Sequence, residues 1–460
     1  MKRIPAVYLL LVGVPAVGAV GLLGVISAAG PEGGGAVGVA ENSVLRQLLV
    51  ALTVVVGVSA VGGMVAEKLG QARVFGELVA GLLLGPTALG AVAPGVQQWL
   101  FPKNILPHLD SMAQLGVVFF MFLVGMEVSH AHLREVGARS AVIGHAAIAV
   151  PFLGGVAAAW WLYHSYPPAH PGILPFALFA GLSFAITAFP VLARILDEQN
   201  LLPTRLGNVG ISAAGFCDIT AWCLLAVVVT IVHHSALLPT LGAIGIAVGF
   251  TAVMLIVVRP LLERVVARAE RAATPPIALY AGLVCVVLGS ALVTEAIGVH
   301  AIFGAFLAGV VMPRGPVLVT ELGTKLEGLT LWVLLPLFFV SVGLRTDIGS
   351  IATVAGVATC AAIIVIATTT KFLGTGAAAL LVGETRRDAL ALAVMMNCRG
   401  LTELVVLNLG KQLGLLSDKL FAMFVIMAVV TTGITAPVLR RVTRKVHADQ
   451  RIPHEAESAH

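Results

Sequence analysis

The sequence predicts an all-α polytopic membrane protein, and three observations predict it. Of its 460 residues 58% are apolar and only 11% charged, where a soluble domain carries about 25% charged residues. The apolar residues gather into runs of a length that can cross a bilayer, for which about 20 residues suffice. The basic residues then fall on alternate sides of those runs. Fifty glycines fit the same class, because small residues let membrane helices approach closely.

Fourteen spans are read, at 5–28, 46–66, 74–93, 112–129, 140–163, 173–196, 205–232, 237–259, 277–294, 298–313, 329–345, 350–374, 387–410 and 419–440. With the N-terminus inside, 21 of the 28 Lys and Arg residues lie on the inner side and 5 on the outer side, while Lys371 and Arg399 fall within spans. That asymmetry follows the positive-inside rule and places both ends in the cytoplasm. The first run, behind Lys2 and Arg3, also fits a signal peptide. Its core exceeds the usual 7–15 residues of one, so a retained helix is expected. Residues 1–45 are therefore read as an N-terminal helix with a Gly-rich outer linker, and 442–460 as a short cytoplasmic tail without a soluble regulatory domain.

The middle of the chain carries an internal repeat. Phe75–Leu84 reads FGELVAGLLL and Phe303–Met312 reads FGAFLAGVVM; Phe120–Glu127 reads FMFLVGME and Phe338–Arg345 reads FFVSVGLR. The members of each pair run in opposite directions under this topology. Residues 46–233 and 277–441 are then two inverted six-helix repeats, joined by a linker helix and basic cytoplasmic loop at 234–276. Many secondary transporters are built this way.

Several function classes are set aside by what the sequence lacks. It has no Walker loop, HExxH, GxSxG or Cys/His metal spacing, which argues against ATP-driven transport and the familiar hydrolases. No cofactor, nucleotide or nucleic-acid partner is expected, and the bilayer is the surrounding medium. All five cysteines lie inside apolar runs, so no disulfide framework is expected.

A charge inside a membrane is expensive and therefore usually functional. Asp218 lies mid-span in 205–232. Its carboxylate can bind a proton or a hard cation, or serve as a structural partner of a basic residue. Thr187 and Pro190 lie in the middle of span 173–196. A proline there removes a backbone bond, so the freed carbonyls and the threonine hydroxyl can line a cation site; an ordinary kink is the plainer reading. The repeat predicts a second broken helix in 387–410, at the polar cluster Asn397–Glu403, where Gly400 weakens the helix. Arg399 and Glu403 are four apart and can pair on one face, touch the ion, or leave Arg399 to counter the negative ends of two half-helices. Lys371, late in its span, can pair with Asp218, compete with the cation, or snorkel to an interface. Glu127 and Arg345 close equivalent spans as gating or packing charges, or as interfacial ones. Glu77 is a candidate funnel residue, and Glu295 and His300 are read as interfacial. Cys217, next to Asp218, leaves the pair with one carboxylate, which points to one proton per monovalent cation and electroneutral exchange.

At these residues the chain resembles the sodium/hydrogen exchanger superfamily, within cation:proton antiporter family 2. It is most similar in motifs to the plant and fungal cation/H+ exchanger branch and its bacterial relatives. The matching stretches are Phe75–Leu89, Phe119–Val128, Ile186–Leu196 (ITAFPVLARIL), Ala214–Trp222, His300–Gly309, Leu335–Thr346 and Asn397–Gly410 (NCRGLTELVVLNLG). The resemblance implies a thirteen-helix core, two inverted repeats, crossed unwound helices at the site and a homodimer. It makes Asp218 the proton/cation carboxylate, Thr187 the ligand on the unwound helix and Lys371 the basic residue facing the site. Glu127, Arg345 and Arg399 fall on charged positions of the pattern. Cys217 departs from it, since members usually carry Asn, Gln or Asp there, and the long soluble tail of several members is missing.

The expected function is K+ or Na+ exchange for H+ in the cytoplasmic membrane, by a transporter and not an enzyme, with Asp218 binding cation and proton in competition. A cation channel or ion sensor on the same fold is the alternative. An organic-cation exporter would call for aromatic residues near Asp218, and only 6% of the chain is aromatic.

Overall fold

In a computed structural model the described residues are 39–127, 137–169, 172–202, 204–233, 237–271, 277–313 and 317–443, and they contain helices but no strand. In chain order the first helices are α1 (Val39–Lys68), α2 (Arg73–Leu84), α3 (Leu89–Val92), α4 (Pro94–Leu100) and α5 (Leu106–Glu127). Next come α6 (Gly137–Ser165), α7 (Ile173–Ala185), α8 (Phe189–Glu198) and α9 (Arg205–His233). Then α10 (Leu237–Val253) runs through a π-helical turn at Met254–Val258 into α11 (Arg259–Arg271), followed by α12 (Ile277–Ile297) and α13 (Ala301–Val311). A second π turn, Thr330–Leu334, joins α14 (Val317–Leu329) to α15 (Leu335–Leu344). The chain closes with α16 (Val354–Leu381), α17 (Arg386–Met396), α18 (Leu401–Gln412) and α19 (Asp418–Thr443).

Among the described residues eleven stretches of helix are long and apolar enough to cross a membrane. Two expected spans differ. Residues 298–313 hold the shorter α13, and 387–410 is divided between α17 and α18. The expected first span, 5–28, lies outside the described residues. The stretch expected as a basic loop after residue 259 continues as helix to Arg271. The cause is local: Leu262 and Val266, four apart, are both buried, and Arg259 pairs with Glu263 at 3.1 Å. Caps set other boundaries. Thr353 accepts the Gly356 amide at the start of α16, and Thr385 the Asp388 amide at the start of α17.

The chain divides into two compact units, each assembled from separated stretches. One comprises the described residues within Met1–Leu69, Gly76–Ser129 and Val229–Gly349. Its helices meet at glycines that leave no room for a side chain. A Cβ on Gly81 would strike the Phe339 carbonyl and one on Gly343 the Gly81 carbonyl; likewise Gly125 faces the Phe306 carbonyl and Gly309 the Phe122 carbonyl. So α2 crosses α15, and α5 crosses α13, with backbone against backbone. These glycines hold matching places in the repeated motifs: Gly81 with Gly309, and Gly125 with Gly343.

The other unit comprises the described residues within Gly70–Phe75, His130–Val228 and Ser350–His460. Here α6 lies against α7, α9 and α16. Cβ atoms on Gly155, Gly144 and Gly374 would come within 2.8, 2.5 and 2.6 Å of the Ala180, Ala213 and Ala146 carbonyls. Its apolar core gathers Leu192, Ile195 and Leu196 from α8, Ala213 and Ala214 from α9, Leu392 and Met395 from α17, and Leu439 from α19. Arg205 at the start of α9 pairs with the buried Glu384 at 2.7 Å.

Candidate functional site

Two helices of the second unit are broken, and the breaks touch. Residues Ile186–Ala188 form an extended link between α7 and α8. Pro190 lies in the first turn of α8, where its missing N–H costs nothing. The proline therefore marks a restart, and the break precedes it. The second link runs from Asn397 to Gly400, and Gly400 forms the N-cap of α18. The two links are joined by backbone and hydroxyl: Ala188 N donates to Cys398 O at 3.0 Å, and Thr187 Oγ1 donates to Met396 O at 2.9 Å. Gly400 sits against Val191, whose Cγ2 would lie 2.7 Å from a Cβ there.

Asp218 lies on α9 in this unit and is 1% exposed. Neither of its carboxylate oxygens has a hydrogen-bond partner. The amide of Phe189, at the start of α8, lies within electrostatic reach of the carboxylate but outside hydrogen-bond geometry. Cys217 ties α9 to the first break: its Sγ lies 3.4 Å from Thr187 Oγ1 and 3.7 Å from Ala185 O.

Two buried cations sit at the carboxyl end of α7, where unsatisfied carbonyls concentrate negative potential. Arg399 donates to Ser183 O and Phe184 O, both at 2.6 Å, and pairs with Glu403 at 2.9 Å. Lys371 Nζ donates to Ala147 O at 2.8 Å and to Ala185 O. Lys371 is fully buried and forms no ion pair with Asp218, although it is within electrostatic reach of Asp218, Cys217, Arg399 and Glu403. It neither snorkels nor neutralises the carboxylate; it caps a half-helix.

The structure thus brings together Asp218, Cys217, Thr187, Pro190, Lys371, Arg399, Gly400 and Glu403 in one unit. Arg345 and Glu127 belong to the other. Arg345 pairs there with Asp110, which also accepts from Ser341 Oγ. Glu127 is the last residue of α5. Sequence reasoning missed Thr432, whose hydroxyl accepts from the Arg399 amide at 3.1 Å and donates to the Arg399 carbonyl, holding the second break open. The threonine pair Thr431-Thr432 in an apolar run was its signal. It also missed Asp110, which carries no signal beyond its charge. Among the described residues no group of three or more metal-ligating side chains occurs.

A buried carboxylate without a paired side chain, beside two helix breaks, can hold one small cationic species, because only a proton or a bound cation offsets the cost of its burial. Comparison with known proteins agrees with that chemistry. The sodium/hydrogen exchanger transmembrane family matches residues 51–445. The chain is 36% identical over 406 residues to the Na(+)/H(+) antiporter NhaS4 of Synechocystis sp., covering 87% of this chain and 98% of that protein. It is 36% identical over 424 residues to cation/H(+) antiporter 20 of Arabidopsis thaliana, and 36% over 383 residues to K(+)/H(+) antiporter 1 of Saccharomyces cerevisiae. The matches cover 50% and 43% of those two proteins, so the chain spans about half the length of these plant and yeast relatives. A solved sodium proton antiporter, MjNhaP1 from Methanocaldococcus jannaschii, shares the fold with a TM-score of 0.61 at 14% identity, over 86% of this chain and 97% of that one. The chain belongs to the sodium/hydrogen exchanger family of cation/proton antiporters, and is a multi-pass membrane transporter and not an enzyme.

Proposed function

We propose that this chain exchanges K+ or Na+ for H+ across the cytoplasmic membrane, with both ends in the cytoplasm and Asp218 as the binding carboxylate. One observation carries the reading: Asp218 is buried with neither oxygen satisfied, beside two touching helix breaks. An unpaired buried carboxylate costs several kcal/mol. A proton removes the charge; a cation compensates it, with Thr187 Oγ1 as a further oxygen ligand. The two occupants exclude each other. Lowering the pH below the range in which Asp218 ionises then raises the apparent cation KM about tenfold per pH unit, as expected of one-proton competition.

Cys217 and Lys371 support a stoichiometry of one. Cys217 is neutral and engaged with the first break, and Lys371 is held by two carbonyls, so a single carboxylate changes occupancy in each cycle and exchange is electroneutral. The matching glycine crossings of the first unit support the inverted repeat. In our reading that unit is the dimerisation scaffold of a homodimer, with Glu127 and Arg345 as its supporting charges, and the Asp218 unit moves as one body to give alternating access.

The test is exchange in reconstituted vesicles with a pH-reporting dye. Asp218→Asn is expected to abolish K+- and Na+-driven proton movement while expression and oligomeric state persist; surviving exchange would sink the assignment. Wild-type rates that stay constant under an imposed voltage support electroneutrality, and comparing K+, Na+ and Li+ ranks the cargo.

A further inference from the structure

Helix α11 carries Arg264, Arg268 and Arg271, all exposed, and among the described residues no hydrogen bond or ion pair engages any of them. At 100° per residue the three side chains fall within an arc of roughly 60°. The opposite face holds Leu262 and Val266, 7% and 0% exposed, which anchor the helix to its own unit. The arginine face therefore points away from the protein. It bounds an open groove of about 400 Å³ lined by Pro260, Glu263, Arg264, Ala267, Arg268 and Arg271. Glu263, the one acid in that lining, is already paired with Arg259. On the flank, Leu261 and Val265 are 53% and 40% exposed.

The position of this stripe is set by the span before it. Helix α10, the π turn and α11 are continuous from Leu237 to Arg271. A rise of 1.5 Å per residue brings the helix across about 30 Å of hydrocarbon near Arg259. Arg264 then sits roughly 8 Å further on, at headgroup depth, with Arg268 and Arg271 one and two turns beyond. Arginine side chains of that length reach back to phosphate oxygens.

We infer that α11 is a docking surface for anionic phospholipid headgroups of the cytoplasmic leaflet, with Arg264, Arg268 and Arg271 as the phosphate-binding residues and Leu261 at the acyl boundary. The inference shares the cytoplasmic orientation of this end with the proposal above but does not depend on exchange through Asp218. Charge complementarity selects the occupant: an unpaired cationic stripe at headgroup depth matches an anionic leaflet. The helix it anchors follows α9, the Asp218 helix, in the chain, so the lipid holds one end of the connection from the site-bearing unit.

The experiment is a thermal-unfolding titration of the purified protein in detergent with short-chain phosphatidylglycerol, phosphatidylcholine or inorganic phosphate. Phosphatidylglycerol is expected to raise the Tm, and the other two to leave it in place. The variant R264Q/R268Q/R271Q is expected to need on the order of 100-fold more phosphatidylglycerol for the same shift, at roughly 5-fold per arginine. Its exchange in phosphatidylcholine vesicles is expected to match the wild type, and R264K/R268K/R271K to keep most of the lipid response. Should the triple glutamine variant fold poorly, the single variant R268Q is expected to show the 5-fold step alone. A glutamine variant that responds like wild type, or a full shift with inorganic phosphate, overturns the inference. Asp218→Asn is expected to respond to the lipid as wild type does, which separates this result from failure of the exchange assignment.

Discussion

The two helix breaks of the site-bearing unit do the same geometric job with different chemistry. The first, between α7 and α8, ends a half-helix whose carbonyls are met by cations from elsewhere in the chain: Arg399 at Ser183 and Phe184, Lys371 at Ala185. The second, between α17 and α18, is met by neutral donors: Thr187 Oγ1 at Met396 and the Ala188 amide at Cys398. Positive charge is thus spent on the first break, and the second break's own Arg399 is bonded to Glu403 and the α7 carbonyls. The difference teaches why Asp218 stays unpartnered. The buried cations near it, Lys371 and Arg399, already serve carbonyls or another carboxylate, so neither neutralises it.

Substitutions can break this asymmetry, and the largest effect is expected at Arg399, which reaches from the second break to the carbonyls of the first. Arg399→Met strips Ser183 and Phe184 of their donor and leaves Glu403 charged and buried, a loss of about 3–5 kcal/mol. Arg399→Met with Glu403→Met is expected to recover part of it in unfolding measurements in detergent, since removing both members of a buried pair costs less than removing one. A double variant as unstable as the single would show that the ion pair is not what Arg399 supports. Next comes Lys371→Met, which orphans Ala147 O and Ala185 O at about 1–3 kcal/mol. Lys371→Gln keeps a donor and is expected to recover some of that stability; equal losses would place the effect in the charge.

At the second break Thr187→Val removes the bond to Met396 and is expected to cost about 1–2 kcal/mol. It should also raise the apparent cation KM, whereas Thr187→Ser keeps both properties near wild type. An unchanged KM in Thr187→Val would remove Thr187 from the ligand set and leave it a purely structural bond. The smallest effect is expected at Gly400→Ala, about 1 kcal/mol, because its Cβ would press on Val191 Cγ2 at 2.7 Å and a side-chain methyl can yield. Val191→Ala in the same chain is expected to restore stability. Failure to do so would mean that backbone freedom, and not space, selects glycine there.

Much of the site is visible without a structure because ionisable residues are conspicuous in apolar runs. Asp218, Lys371 and the cluster Asn397–Glu403 stand out on that ground alone, and Pro190 locates the first break to within three residues. Their roles are less visible. Lys371 reads equally as a partner of Asp218, a competitor of the cation or a snorkelling residue, and only its approach to Ala147 and Ala185 across α6 and α7 distinguishes them. Thr432 reads as one hydroxyl among several in α19 until its oxygen is found bonded to both backbone groups of Arg399. The Asp110–Arg345 pair joins residues 235 positions apart, a separation at which no local pattern operates.

What the sequence determined by itself is the class of the chain and the identity of its polar intramembrane residues, since hydropathy and charge are properties of each residue and its near neighbours. The helix that runs on to Arg271 and the division of the chain into two units came only from the tertiary structure. So did the partners of Lys371, Arg399 and Glu403. The reason is that hydrogen bonds and ion pairs depend on which carbonyl meets which donor after distant helices pack. Glycines such as Gly144, Gly155 and Gly374 set those approaches to within a van der Waals contact. Asp218 is legible as a charge in the sequence; that no side chain is paired with it is legible only in the fold.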